Sequence, residues 1–419
     1  MKLAKVFQPR HFDAFRCIGA DCEDTCCVGW IVHVDKSTYE KYQTCSDPVC
    51  GSSLRTLITI NEKSANDEDY AKIAINKSGC PFLSEGLCSI QLRLGEAYLP
   101  QMCATYPRVM NKVGDVLQRS LDLSCPEAAR VALLDPRPME FVEGDYQDGP
   151  IRLGNLSALD TSSLDGSPEP FLFFREVRRL AISLLQDRSQ PVWRRLFMLG
   201  RFCEKLDEPR TQGDRNALRS VLSSIGNGSI GGRSACCPPH STLQLEVVLE
   251  LVLARIRSDF NPRSFLDCYR QFMDGIQWTM ESTMDEIGAR YAEAYARHYV
   301  SVMSQHEHML EHYLVNYAHR TLFPIGMPES NRRLFNDRVP SIMAAQYMLM
   351  AAYFAITQTL LIGMAGFYKE AFGASHIIKL VQSCTKTFEH SMTYPGQVIQ
   401  MLADKNMTTS ASLCVLIRQ

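Results

Sequence analysis

The chain has 419 residues, of which 46% are hydrophobic and 21% charged, and its 44 Lys and Arg residues nearly balance its 46 Asp and Glu residues. A chain of this length can bury a large core and form more than one structural unit. The net charge of −2 argues against a nucleic-acid or anionic-membrane binder, because both usually carry a basic excess.

The N-terminal stretch MKLAKVFQPRHFDAF lacks the pattern of a signal peptide, since charges and a proline interrupt it before an apolar region forms. We therefore expect a cytoplasmic protein with reduced cysteines rather than a disulfide framework. Clustered thiols in a reducing compartment are typically metal ligands.

Ten of the 16 cysteines lie within the first 125 residues, and eight of these form a pattern. The order is Cys17-x4-Cys22-x3-Cys26-Cys27, then Cys80-x7-Cys88, Cys103 and Cys125. We predict that these eight cysteines bind metal. Cys45 and Cys50 lie in a polar loop without a partner pattern and are left out of the predicted set.

The spacing favours an iron–sulfur cluster, with zinc as the alternative. Adjacent Cys26 and Cys27 suit one mononuclear site poorly, because successive side chains tend to diverge. Structural zinc sites usually use close pairs such as C-x2-C, and none occurs among the eight cysteines. An iron–sulfur cluster takes four thiolates and distributes them over several iron atoms.

The residues around the cysteines predict short strands, turns and one helix start. The segments 30–34 and 70–75 alternate as half-buried strands do. Glycine and proline flank Cys80, which predicts a turn there. Pro126 follows Cys125 directly and predicts the first turn of a helix, where the helix dipole favours a thiolate.

After residue 136 the pattern becomes helical. In the segment 171–185, Phe173, Val177, Leu180 and Leu184 share one helix face. Similar apolar stripes recur at 243–257, 290–323, 342–368 and 376–389, whereas the segments 143–170 and 207–242 have the composition of loops. We predict a mainly α protein with a cysteine-rich metal-binding module over residues 1–136, which has a few short strands. An α-helical domain follows over 137–419, with a linker around 207–242.

Four features of the helical part are not assigned a catalytic or binding function. The motif GNGSIG at 226–231 lacks the strand-to-helix context of a nucleotide site, so a Rossmann methyltransferase is not indicated. The histidines around His308 and His312 lack H-E-x-x-H and are interpreted as surface or core residues, and Cys236-Cys237 as a loop feature. The uncharged segment 341–368 could span a bilayer by length, but its polar residues and lack of basic flanks favour core helices.

Four stretches, in this order, resemble the flagellin lysine-N-methylase (FliB-type) family: CIGADCEDTCCVGW, CPFLSEGLCSIQLRLGE, MCATYPRV and RSLDLSCPEAAR. The cysteine-rich part also resembles a wider group of zinc- or iron-chelating modules. The strong part of the resemblance covers about residues 10–135. RLFMLGRFCEKL and HYLVNYAHRTLFP resemble helical segments of the same family.

The resemblance implies transfer of a methyl group from S-adenosylmethionine to lysine ε-amines of flagellin or another protein. It also implies a 4Fe–4S cluster on the N-terminal cysteines, without fixing which four bind it. Tyr313, Asn316 and Tyr317 are candidates to line the methyl-transfer pocket, although their helical spacing fits core packing equally well. The radical signature C-x3-C-x2-C is absent. The alternative function is a non-enzymatic metal-binding or redox-sensing protein with a structural zinc or iron site.

Overall fold

A computed structural model describes residues 3–28, 32–64, 66–74, 79–146, 157–159, 174–208, 240–257, 262–326, 339, 341–391 and 393–419. The chain forms two compact units. The first unit comprises Met1–Ala128 and Phe141–Ala158, and the second comprises Ala129–Glu140 and Leu159–Gln419. The predicted division after residue 136 stays a prediction.

The strands of the described residues are β1 Lys5–Pro9, β2 Val32–Val34, β3 Ile58–Ile60, β4 Ala71–Ile73, β5 Leu83–Ser84, β6 Leu87–Cys88, β7 Arg108–Val113, β8 Val116–Leu121, β9 Phe141–Asp145 and β10 Ser157–Leu159. They form a sheet of order β10-β7-β8-β1-β9, a sheet of order β2-β4-β3 and the hairpin β5-β6. Strand β1 is parallel to β8, and β7 pairs with β8 as a hairpin. The predicted strands at 30–34 and 70–75 correspond to β2 and β4.

Short helices connect these strands in the first unit: α1 Lys36–Gln43, α2 Gly51–Thr56, α3 Ser89–Leu94, α4 Gln101–Thr105 and α5 Pro126–Leu133, which continues into the second unit. The core around β2 and β4 contains Val34, Tyr42 and Phe82, and the side chains of Cys80, Cys88 and Cys103 pack against it. Cys45 and Cys50 are buried in this core. A second cluster joins Phe12, Phe15 and Leu121 to Cys125. Both cores therefore hold predicted metal ligands at their edges.

The second unit is helical: α6 Phe174–Leu185, α7 Val192–Asp207, α8 Ser241–Ile256, α9 Arg263–Gly275, α10 Met284–Ala294, α11 Val300–Arg320, α12 Ile342–Tyr368, α13 Ala374–Cys384, α14 Tyr394–Asp404 and α15 Ser410–Ile417. A π-helical turn at Tyr295–Tyr299 joins α10 to α11, and another at Thr385–Glu389 follows α13. The prediction of a mainly α chain is confirmed.

Helix α12 is long and apolar enough to cross a membrane by composition, and it is buried inside the second unit. Helices α8, α9 and α14, among others, pack around it. The uncharged segment 341–368 is thus one core helix. The predicted linker, the GNGSIG motif and Cys236-Cys237 lie outside the described residues, apart from the linker's two ends.

Candidate functional site

The first group of predicted ligands lies on a loop with a tight turn. Gly19 has a φ of +56°, a conformation that favours glycine, and it begins the short 3-10 turn Gly19–Asp21. This turn lies between Cys17 and Cys22. Cys17 and Cys26 are exposed, whereas Cys22 and Cys27 are half-buried. The loop therefore presents its thiols at or near the surface.

The loop around Cys27 is joined to the loop around Cys80. The Cys80 amide donates a hydrogen bond of 3.0 Å to the Cys27 carbonyl. Gly79 between them has a φ of +108°, and a Cβ there would lie 3.0 Å from Val28 Cγ2 and 3.2 Å from the Cys27 carbonyl oxygen. Only a glycine fits this close approach without strain. Backbone contacts thus help to hold the two cysteine loops next to each other.

The thiols of Cys26, Cys27 and Cys88 are in contact. Hydrogen bonds with Cys26 and Cys88, together with burial, raise the pKa of the Cys27 thiol. The hydrogen bond from Cys27 lowers the pKa of Cys88. One sulfur of the pair therefore keeps its proton and donates it, while the other is stabilised as the thiolate, which is the form that binds metal.

Two further thiols belong to the same group. Burial raises the pKa of Cys103, and the charges of Cys26, Cys88 and Cys80 add to this effect. Burial likewise raises the pKa of Cys80, with a smaller contribution from the charges of Cys88 and Cys26. We call these five cysteines the thiol cluster: Cys26, Cys27, Cys80, Cys88 and Cys103. Their mutual repulsion as thiolates is what a bound cation would relieve.

Cys17, Cys22 and Cys125 form a neighbouring set. Burial, with a smaller contribution from the charges of Cys22 and Cys17, raises the pKa of Cys125 to about 12. The amides of Ala128 and Glu127 donate to the Cys125 sulfur, which lowers its pKa in part. Helix α5 begins at Pro126 as predicted, so these donors are the free amides of its first turn.

Tyr106 lies within electrostatic range of both sets. Burial raises the pKa of its hydroxyl well above the usual value, and the charges of Asp122, Cys125 and Cys26 add to the shift. The hydroxyl is 2.9 Å from Ser124 Oγ. The structure thus brings all eight predicted cysteines into one region of the first unit.

The described cysteines do not form a preformed metal site. No disulfide joins them. Within the described residues, no three Cys, His, Asp or Glu side chains converge closely enough to hold one metal ion. A tetrahedral zinc site requires such convergence, with Zn–S distances of about 2.3 Å, and a cluster with four thiolate ligands also requires its ligands to lie close together.

The second unit places the predicted residues Tyr313, Asn316 and Tyr317 on one face of α11, and all three are buried. Tyr313 Oη donates a hydrogen bond of 2.9 Å to Glu389 Oε1. Burial raises the pKa of Tyr313 well above its usual value, and the charge of Glu389 adds to the shift. Tyr313 is therefore a protonated donor at neutral pH.

Glu389 is the last residue of the π-helical turn Thr385–Glu389. Its carboxylate pairs with the Arg320 guanidinium and accepts a hydrogen bond of 3.4 Å from Thr385 Oγ1. π-Helical turns are rare and occur frequently at functional sites, because the extra residue redirects side chains. Here the turn carries the carboxylate that faces Tyr313.

Three tyrosine rings continue from this carboxylate. The Tyr317 ring meets the Tyr353 ring edge-on with centroids 5.9 Å apart, and the Tyr353 and Tyr394 rings are stacked at 6.4 Å. The Arg320 guanidinium lies 5.9 Å from the centroid of the Tyr317 ring. We call this set the tyrosine–glutamate network: Tyr313, Tyr317, Arg320, Tyr353, Glu389 and Tyr394. Aromatic faces beside a carboxylate stabilise cations.

Sequence reasoning missed four members of the network. Tyr353, Glu389 and Tyr394 lie on elements other than α11, so their place in the network depends on tertiary packing, whereas Arg320 lies one turn after Tyr317 on α11 itself. A usable signal was present in Glu389, an acidic residue at the end of the otherwise apolar stripe 376–389.

A family model and several curated relatives match this chain. A family model described as the FliB lysine N-methylase C-terminal domain matches residues 178–416, which include the whole tyrosine–glutamate network. Over 144 residues the chain is 32% identical to lysine-N-methylase of Salmonella typhimurium and to that of Salmonella choleraesuis. It is also 32% identical over 144 residues to flagellar biosynthetic protein FliU of Salmonella muenchen.

The matched segment is 34% of this chain in each case. It spans 36% of the length of the two lysine-N-methylases and 85% of the FliU protein. No solved structure matches the chain.

Proposed function

The chain belongs to the FliB lysine N-methylase family, and on that premise we propose that it transfers methyl groups from S-adenosylmethionine to lysine ε-amines of a protein. The observation that carries the proposal is the tyrosine–glutamate network, which lies inside the matched region 178–416. It combines aromatic rings, a protonated phenol and a carboxylate, which are groups that bind cationic ligands. Both the lysine ammonium and the methyl sulfonium are cations.

Lysine methylation needs a deprotonated amine, because only the free amine attacks and its ordinary pKa is about 10.4. Glu389 is the carboxylate that faces Tyr313, so we assign it as the acceptor of the ammonium proton. Tyr313 and Arg320 hold this carboxylate in position. Tyr317 and Asn316 line the same helix face and orient the two reactants, which contributes several kcal/mol when the attack is in line.

In the first unit, we propose that the predicted cysteines hold a 4Fe–4S cluster and that its ligands come mainly from the thiol cluster. The contacts of Cys27 with Cys26 and Cys88 support this choice. When bound, such a cluster supplies redox-active iron and covalent links between the loops that carry its ligands. Cys17, Cys22 and Cys125 flank the site, and zinc is the alternative metal.

The protein substrate that we propose to test first is flagellin. The support is the similarity to FliU, a flagellar biosynthetic protein, together with the resemblance of the cysteine motifs. Flagellin is synthesised in the cytoplasm, so we place the enzyme there. The near-neutral net charge supports a protein substrate rather than a nucleic acid.

The proposed activity is tested by incubating the anaerobically purified protein with methyl-labelled S-adenosylmethionine and unmethylated flagellin. We expect label in N-methyl-lysine after acid hydrolysis of the flagellin. A Tyr313→Phe variant should transfer the label more slowly, whereas Tyr291→Phe serves as the matched control, because Tyr291 is equally buried but its hydroxyl contacts Gln419 instead. Folded wild-type protein that labels no lysine on flagellin or in a cell extract would overturn the proposal.

A non-enzymatic metal-binding or redox-sensing function rests on a different observation, the contact between the thiols of Cys27 and Cys88. Iron and acid-labile sulfide in equal amounts, with no methyl transfer to any lysine, would favour this second function. Methyl transfer by the purified protein would remove it as the main role.

A further inference from the structure

Two histidines in the second unit have a geometry that the methyl-transfer proposal does not use. His308 and His312 lie one turn apart on α11, and their rings are 5.8 Å apart between centroids in an edge-to-face arrangement. His312 is buried, whereas His308 is half-buried. Residues at i and i+4 share a helix face, so both rings point the same way.

The protonation state of His312 is set by the backbone. Its Nδ1 lies 3.0 Å from the carbonyl oxygen of Ala132, and a carbonyl can only accept, so Nδ1 carries the proton. In a neutral imidazole the other nitrogen then has the lone pair. Metal-ligating histidines are typically fixed in this way, with one nitrogen donating to a carbonyl or carboxylate.

Among the described residues, no donor reaches the lone pair of His312. The ring donates to the backbone of Ala132 and Arg137, whereas Nε2 is buried and accepts no hydrogen bond from the described residues, with the side chain only 2% exposed. Glu311 Oε1 lies 3.9 Å from Nε2, which is too far for a hydrogen bond. A buried acceptor without a donor costs free energy, so an unfilled Nε2 at this position indicates a missing ligand.

The surrounding charges limit which ligand fits. Glu311 is fully engaged with Arg188 at 2.8 and 2.9 Å and with Arg195 at 2.6 Å. Burial lowers the pKa of both histidines, and the charge of Arg188 lowers it further. The rings are therefore neutral donors at neutral pH. Neutral imidazole nitrogens bind Zn²⁺, Ni²⁺ and Cu²⁺, whereas Mg²⁺ and Ca²⁺ prefer oxygen.

We propose that His308 and His312 form a two-nitrogen site for a borderline divalent transition-metal ion, completed by water on the exposed side of His308. Zinc–imidazole distances are about 2.0–2.1 Å, so one ion between rings whose centroids lie 5.8 Å apart requires a nitrogen of each ring to point toward the other ring. This site is independent of the cysteines and of the tyrosine–glutamate network.

The test is calorimetric titration of the full-length, anaerobically purified protein with Ni²⁺, in the wild type and three variants. His308→Ala removes the accessible ligand. His312→Asn removes Nε2 but keeps an amide donor near the position of Nδ1, so the Ala132 contact survives. His306→Ala is the control, because His306 neighbours His308 at 6.1 Å but lies off the shared face. Binding of Ni²⁺ to cysteines is common to all four proteins, so it cancels when the variants are compared with the wild type.

We expect His308→Ala and His312→Asn each to weaken one Ni²⁺ binding event at least tenfold, with His306→Ala unchanged. Mg²⁺ should give no heat in any of the proteins. Identical isotherms for the wild type and His308→Ala would overturn the proposal, as would an equal loss in His306→Ala. If His312→Asn fails to fold, the comparison of His308→Ala with His306→Ala decides.

Discussion

The Glu389 carboxylate contacts several side chains of the tyrosine–glutamate network. It is 4% exposed and pairs with Arg320, which is 13% exposed. Two uncompensated charges would be costly at this depth, so each partner is needed for the other to stay ionised. The Tyr313 hydroxyl supplies a further hydrogen bond to the same carboxylate. A change in any one of these groups alters both stability and the chemistry of the network.

We predict that Glu389→Gln lowers the free energy of unfolding by about 3 kcal/mol or more, because it removes the carboxylate that pairs with the largely buried Arg320 guanidinium. Tyr313→Phe should cost less, about 1.5–3 kcal/mol, since it removes one hydrogen bond to a charged acceptor. Denaturant unfolding of both variants measures the difference. An equal cost for the two changes would contradict the assigned ion pair.

The contribution of Asp35 to the stability of the fold depends on pH. Its Oδ1 caps α1 through the Thr38 amide at 2.9 Å, and its Oδ2 accepts from the Gln101 amide at 3.2 Å. Burial opposes ionisation, but the hydrogen bonds from Ser37, Thr38 and Gln101 outweigh it and leave the pKa below the usual value. The folded state therefore binds this proton less readily than the unfolded state.

Because the pKa of Asp35 is lower in the folded state, its ionised carboxylate stabilises the fold at pH values above its pKa in the unfolded state, about 3.9. This stabilisation is lost as the pH falls through the pKa of Asp35 in the folded state. We predict that Asp35→Asn, which can still cap the helix, is less stable than the wild type by about 1 kcal/mol at neutral pH. This difference in stability between the wild type and Asp35→Asn should disappear in acid. Unfolding midpoints of both proteins, measured from neutral pH downward, test this prediction, and a difference that stays constant would contradict it.

At the scale of elements, α9 and α12 pack unusually closely. A Cβ on Gly275 would lie 1.8 Å from the Gly363 carbonyl oxygen, and a Cβ on Gly363 would lie 2.3 Å from Phe272 Cδ2. Backbone atoms cannot move aside as a flexible side chain can. These glycines therefore set the distance between the core helix and its neighbour.

We predict that Gly275→Ala destabilises the protein by about 1–3 kcal/mol through overpacking, although alanine is the better helix former. Gly373→Ala is the control, because a Cβ there meets no atom within 4 Å. Thermal unfolding of the two variants should separate them clearly. If Gly275→Ala were as stable as Gly373→Ala, the close contact of the two helices would be wrong.

The helices were more predictable than the strands, for a physical reason. The apolar stripes predicted α6, α11 and α12, because these helices bury apolar side chains over several turns, on one face or all round. Strands β7 and β8 were missed because polar residues such as Asn111, Gln118 and Ser120 are buried in them, so the hydrophobic pattern does not follow the burial. The two π-helical turns were also missed, because one extra residue hardly changes an apolar stripe.

The same limit applies to the candidate site. Helical spacing correctly placed Tyr313, Asn316 and Tyr317 on one face. No local pattern could show that Glu389 lies against Tyr313, since 76 residues separate them. The cysteine order predicted a shared metal site, which stays a prediction, and the contact of Cys27 with Cys88 depends on the fold of the two loops.

At the scale of the whole molecule, the predicted metal ligands belong to the first unit, and the tyrosine–glutamate network belongs to the second. We predict that Cys27→Ser and Cys88→Ser each lower the iron and acid-labile sulfide content of the anaerobically purified protein by more than half. Cys203→Ala, which changes a buried cysteine of the second unit, should leave both contents unchanged. Iron bound equally by all three variants would contradict the assigned ligands.

The most direct measurement is tandem mass spectrometry of flagellin after reaction with the purified enzyme and isotopically labelled S-adenosylmethionine. Family membership together with the tyrosine–glutamate network predicts labelled methyl groups on lysine ε-amines, with a lower yield for Tyr313→Phe than for Tyr291→Phe. Labelled methyl groups on another residue type, or none on flagellin and on the proteins of a cell extract, would contradict the proposed lysine methylation.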